Sequence, residues 1–191
     1  MNNLAKLNST VTEGGVYRRE VLLPFSKAID RDLANLVKSG HLEKLSGGLY
    51  YKPQKTRYGN LPPNEGELIK AFLRDDYYLR YSWNDYNKLG LGLTQNYNRQ
   101  VVYNQKRHGL FLLGSTYFDF RRPARGFPIK LTTEFLLVDL VNNLNELAED
   151  SNTIKENIKK NYSKFKKHKV MEYVKKYGKI ATRKFFAEIT T

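Results

Sequence analysis

The segment Ser26–Tyr51, SKAIDRDLANLVKSGHLEKLSGGLYY, constrains the fold more than any other part of the chain. Ile29, Leu33, Leu36 and Val37 fall at i, i+4, i+7 and i+8, the spacing that gathers apolar side chains on one helical face, while Lys27, Arg31, Ala34 and Lys38 take the opposite face. Ser26 suits an N-cap hydroxyl and Gly40 suits the left-handed residue that stops a helix, so a helix over Ser26–Lys38 is predicted with both ends specified. Beyond it, Leu42 and Leu45 flank Glu43 and Lys44, Gly47-Gly48 supply a tight turn, and Leu49-Tyr50-Tyr51 is β-prone, which together read as a two-stranded ribbon. Helix, glycine stop and ribbon in that order make the back half of a winged helix-turn-helix. The blander reading is an ordinary helix and hairpin packed in a core with solvated lysines.

Composition supports a folded protein with an anionic partner. The 191 residues suit one large or two small domains, and 40% apolar content with 13% aromatic supplies a core. Thirty-three basic against nineteen acidic residues leave a formal charge of +14, which points to nucleic acid or an acidic membrane surface. No stretch approaches the roughly 20 apolar residues that span a bilayer. The polar start MNNLAKLNST lacks a signal-peptide hydrophobic region, so a cytoplasmic protein without membrane partners is expected. The absence of cysteine excludes disulfides, cysteine-ligated zinc and thiol catalysis.

Upstream of the signature, Leu4 and Leu7 predict a short first helix, and Val16–Leu23 is a brief apolar stretch stopped by Pro24. The segment KPQKTRYGNLPP (Lys52–Pro63) holds three prolines, a glycine and three basic residues and reads as a linker. The division is placed there, giving a DNA-binding winged helix at residues 1–58 and an α+β domain at residues 59–191 with a basic helical C-terminus. Within the second part, helices are predicted at Glu65–Leu73, Trp83–Leu89 and Thr132–Glu149, and strands at Tyr77–Tyr81, Arg99–Asn104, Leu110–Leu113 and Ser115–Arg121, which imply a small mixed sheet. The chain end is helical, and from Lys155 to Lys184 it carries twelve Lys or Arg against two Glu. Apolar residues interleave with those lysines, so the segment is amphipathic rather than a solvated polybasic tail.

GHLEKLSGGLYYKP after an L-x-x-L-V-K helix resembles the N-terminal winged helix of AbiEi-type antitoxins and the related DUF6088 proteins. LPPNEGELIKAF, YSWNDYNKLGLGLTQ (Tyr81–Gln95), VVYN (Val101–Asn104) and LTTEFLLVDLVNNL (Leu131–Leu144) look like the C-terminal domain of the same family, so the resemblance spans about residues 10–150. It implies an antitoxin of a type IV toxin–antitoxin or abortive-infection system, whose winged helix binds operator DNA and represses its own operon. It also implies a nucleotidyltransferase-like toxin as partner, directly or only functionally, and no catalysis by the antitoxin. The chain departs from the family where Ser46-Gly47 stand in place of the wing's usual basic residue, which leaves Lys44 and Lys52 or Lys55 to meet phosphate.

For DNA recognition, Arg31 and Asn35 can read base edges, because a guanidinium pairs bidentately with guanine and a carboxamide with adenine. Lys27, Lys38 and Lys44 suit phosphates, and Ser26, Ser46 and Gly47 complete the expected DNA-facing set. Asp30 and Asp32 oppose that role unless they pair with cations. Lys164, Lys166, Lys167 and Lys169 form a possible second basic surface for nucleic acid, accompanied by Tyr162 and Phe165, or for an acidic toxin. Gly114-Ser115 followed by Asp119 faintly resembles a nucleotidyltransferase turn, which a hairpin explains better. His41, His108 and His168 are dispersed without carboxylates at metal-ligand spacing. No catalytic residue, cofactor or metal is expected; the rival readings are a protein-interaction module without DNA binding and a nucleic-acid-processing enzyme.

Overall fold

The computed structural model describes residues 3–190, with side chains from Ala5 onward. Residues 1–76 and 111–116 form one compact unit, and residues 77–110 and 117–191 another.

The first unit begins with α1 (Asn3–Thr10), β1 (Val16–Arg18) and α2 (Arg19–Leu22), followed by a 3-10 turn at Leu23–Phe25. α3 (Ile29–Lys38) answers the predicted helix, and β2 (Glu43–Ser46) with β3 (Leu49–Tyr51) answers the predicted ribbon. The three strands form an antiparallel sheet in the order β1-β3-β2, with Tyr50 of β3 opposite Tyr17 on one side and Lys44 on the other. Leu7, Val11 and Leu22 close over Ile29, Leu33 and Leu36 of α3 together with Leu42 and Tyr50. Each buried aliphatic side chain in that cluster contributes about 1.5–3 kcal/mol, which fixes the face α3 turns inward. The side chain of Leu4, paired with Leu7 in the expectation, lies outside the described ones. Gly40 has a φ of 71° and ends α3 as expected, with the amides of His41 and Leu42 returning to the Leu36 carbonyl at 2.9 and 3.1 Å.

Two expectations for this unit need correction. α3 starts at Ile29 rather than Ser26, and its N-cap residue is Ala28. The segment read as a linker is an antiparallel hairpin, β4 (Gln54–Thr56) and β5 (Gly59–Leu61). Its three prolines lie outside the paired residues, where a missing N–H costs the ladder nothing. α4 (Glu65–Leu73) follows, capped by the Asn64 side chain, which accepts from the amides of Gly66 and Glu67. Arg18 of β1 donates to the Ala71 and Phe72 carbonyls at the end of α4, both at 3.2 Å, which holds that helix within the first unit. The first compact unit thus takes in this hairpin and α4 and runs on to Asp76.

The second unit contains β6 (Leu79–Ser82), a run of 3-10 turns at Trp83–Leu89 where an α-helix was predicted, β7 (Gln100–Tyr103), β8 (Gly109–Leu113) and β9 (Thr116–Arg121), with residues 111–116 of the β8–β9 hairpin counted in the first unit. The sheet order is β6-β7-β9-β8, with β6 and β7 antiparallel and β7 and β9 parallel, so it is mixed as expected. α5 (Thr133–Asn143) buries Phe135 through Val141 without interruption, which is why its apolar residues occupy more than one side. α6 (Ser151–Asn161), α7 (Lys167–Tyr177) and α8 (Ile180–Thr190) each turn one apolar stripe to this core through Ile154, Ile158, Val170, Val174, Phe185 and Phe186. The protein is of the α+β class with several sheets. Among the described residues no helix is long and apolar enough to cross a membrane.

Candidate nucleic-acid interface

Because Ile29, Leu33 and Leu36 are committed to the core, Arg31, Asn35 and Lys38 come out on the opposite face of α3, all exposed, and Lys27 is exposed just before the helix. Lys44 on β2 and Gly47 at the ribbon tip are exposed, while Ser46 is half-buried. Six of the eight expected DNA-facing residues thus lie in solvent within one unit.

Ser26 does not. Its side chain is buried at 7% exposure, and its hydroxyl donates to Asp32 Oδ2 at 2.6 Å while accepting from the Ala28 amide at 3.0 Å. A hydroxyl with both roles filled beside a buried carboxylate organises the turn before α3 and is not available to DNA.

The two aspartates that counted against a DNA-facing α3 are both occupied. Asp32 is 3% exposed and turned inward to Ser26, with the Arg31 Nε 3.6 Å from its other oxygen. Asp30 accepts a bidentate pair from Arg19, at 2.6 and 2.7 Å, and those hydrogen bonds hold its carboxyl below its ordinary pKa. The Arg19 amide also donates to the Gly48 carbonyl at 2.9 Å, so one residue fastens the ribbon turn to the rim of α3. Sequence reasoning missed Arg19, since its partner lies eleven residues away with no periodic signal.

Of the two lysines after the ribbon named for phosphate, Lys52 is half-buried and donates to Asn8 Oδ1 at 3.0 Å. Lys55 is exposed on β4.

In the second unit, Lys164, Lys166, Lys167 and Lys169 are all exposed, around the 3-10 turn Tyr162–Lys164 and the first turn of α7. None of the four forms an ion pair among the described residues. Their expected aromatic companions are not free to stack on bases: Tyr162 is 4% exposed and Phe165 packs against the core, because the amphipathic pattern spends these rings on burial. Lys167 Nζ lies 5.7 Å from the centre of the Tyr162 ring.

Several acidic groups of this unit are committed as well. Asp139 of α5 accepts hydrogen bonds from the hydroxyls of Tyr81 at 2.5 Å, Tyr86 at 2.7 Å and Tyr103 at 2.7 Å, and Asn143 donates to two of those phenols. Burial raises the Asp139 pKa although its three donors oppose the shift. Asp119 on β9 is bound by Arg121 at 2.8 and 2.9 Å, and Arg121 reaches Glu146 at 2.7 Å. Gly114-Ser115 form the turn between β8 and β9. No group of three His, Asp or Glu side chains among the described residues is spaced to hold a metal ion.

The sequence matches no protein-family model, and comparison with curated proteins finds no significant relative. Among solved structures, the chain is similar to the RV2827C protein from Mycobacterium tuberculosis, with a TM-score of 0.59 and 12% identity over 98% of this chain and 75% of that one. At such identity the likeness concerns the fold alone.

Proposed function

We propose that the protein is a DNA-binding transcriptional repressor that acts as the antitoxin of a type IV toxin–antitoxin system and autoregulates its own operon. In this reading the first unit is a winged helix: α3 enters a major groove and the β2–β3 turn follows the adjacent backbone. The observation that carries it is the outer face of α3, which gathers Arg31, Asn35 and Lys38 in solvent while both of the helix's acids are paired, Asp30 with Arg19 and the buried Asp32 with Ser26 and the Arg31 Nε. Arg31 and Asn35 read base edges, and Lys27, Lys38 and Lys44 hold phosphates. Support for the antitoxin role comes from the resemblance over about residues 10–150 to AbiEi-type proteins, and a nucleotidyltransferase-like toxin is the partner that role implies. The free lysines at the start of α7 add a second, sequence-independent contact with nucleic acid.

A mobility-shift titration against DNA from immediately upstream of the coding region, with excess unrelated DNA, tests this. A specific shift is expected from the intact protein. Arg31→Ala should relax sequence preference, whereas Lys44→Ala should weaken all DNA binding equally. Binding that ignores sequence in the intact protein would overturn the repressor reading, and the absence of binding would overturn DNA binding itself.

A further inference from the structure

We propose that the β4–β5 hairpin is a second DNA-contacting element of the first unit, an arm that grips backbone phosphates beside the site read by α3; this rests on the DNA-binding reading above. Every residue of the hairpin from Gln54 to Leu61 is exposed, so none of it serves the core. Gln54, Lys55, Arg57 and Tyr58 each present a side-chain hydrogen-bond donor to solvent, and no residue from Gln54 to Leu61 is acidic. That is the chemistry by which proteins hold phosphate oxygens. The core of an interface with another protein is depleted in lysine, whereas this hairpin sets Lys55 beside Arg57 and has a single aliphatic side chain, Leu61 at its base.

The arm is also ordered before any partner arrives. At its base, the Tyr51 hydroxyl donates to the Leu61 carbonyl at 2.7 Å, and Asn60 Nδ2 donates to Glu43 Oε1 on β2 at 2.9 Å. These bonds tie the arm to the ribbon proposed as the wing. At its tip, Thr56 Oγ1 donates to the Gly59 carbonyl at 2.8 Å and accepts from the Tyr58 amide at 3.2 Å, while Gly59 takes a φ of 113° that a side chain would resist. The two turn residues between them, Arg57 and Tyr58, point into solvent, with the Arg57 guanidinium 4.7 Å from the centre of a Tyr58 ring that is 85% exposed. Neither Lys55 nor Arg57 has an acidic partner among the described residues. A hairpin whose backbone is already fixed loses little backbone entropy when its unpaired cations meet phosphate, which favours a dedicated contact over a passive loop.

The experiment is a salt series of anisotropy titrations on a labelled duplex from upstream of the coding region, and on a scrambled duplex, using the full chain and the double variant Lys55→Gln, Arg57→Gln. The variant should bind both duplexes more weakly, keep the preference between them, and lose about 1.8 from the log–log salt slope, two phosphates at about 0.9 each. Its melting temperature should not change, because the altered side chains lie in solvent. An unchanged slope and affinity in the variant, with the intact protein and Arg31→Ala behaving as above, would overturn the arm and leave the winged-helix reading standing. Failure of the intact protein to bind either duplex would overturn both.

Discussion

Asp139 lies on α5 with 1% of its surface exposed, and three phenols converge on its carboxylate from β6, the Trp83–Leu89 turns and β7. A carboxyl whose folded pKa is raised by burial stabilises most when protonated: its contribution is full below the ordinary carboxylate range and is lost as pH rises through the raised value. Thermal melts of the wild type and Asp139→Asn across pH 4–8, an interval of about the width such groups span, should therefore show a flatter pH profile in the variant above the ordinary carboxylate range. Parallel profiles would mean that Asp139 is not the group responsible. Tyr103→Phe removes one donor to that carboxylate and should cost about 1–3 kcal/mol by chemical denaturation at neutral pH. Ser26 poses the same kind of question beside the proposed interface. Because its hydroxyl is bonded to the buried Asp32, Ser26→Ala should lower the melting temperature while the folded variant retains its DNA affinity; a loss of affinity at constant stability would return Ser26 to the interface.

At the scale of elements, Arg19 couples α2, α3 and the ribbon turn through its pair with Asp30 and its bond to Gly48. The pair is exposed, so it adds little to stability. Its larger effect is on charge, because Arg19→Gln leaves Asp30 a free anion at the rim of the face proposed to meet phosphate. Arg19→Gln should weaken DNA binding, and Asp30→Asn in the same chain should restore much of it; a double-mutant cycle without coupling would refute the link. The elements legible in the sequence were those with a periodic apolar face or a capped end. α3 and α4 each bury a patterned stripe, α5 is a near-continuous apolar run, and the β2–β3 ribbon is marked by β-prone residues around Gly47-Gly48, so their existence followed from the sequence, and even the stop at Gly40 was readable. The β4–β5 hairpin was not, since three-residue strands exposed on both sides have no hydrophobic alternation to detect and the flanking prolines mimic a linker. The start of α3 was misplaced for a similar reason: Ser26 has the chemistry of a cap, but its hydroxyl answers Asp32 six residues on, a tertiary preference invisible to local rules. The exposed cations of the candidate interface were readable from the helical face, whereas the partners that neutralise its acids were not.

For the whole molecule, a formal charge of +14 ensures attraction to any polyanion, so affinity alone cannot separate a recognition surface from diffuse charge. The dependence on salt can, because each phosphate that is actually neutralised releases condensed counterions, whereas lysines held away from the duplex contribute only a screened field. Lys164, Lys166, Lys167 and Lys169 lie in the second unit with no ion pair among the described residues to hold them back. Replacing all four with Gln should reduce the magnitude of the log–log slope by as much as about 3.6 if each meets a phosphate, with specific and scrambled duplexes weakened alike. The fall should add to that of the Lys55→Gln, Arg57→Gln pair, since the two sets share no hydrogen-bond network and belong to different units. A slope that stays constant when all four lysines are removed would take the second unit out of the DNA footprint and leave its basic face to an acidic protein.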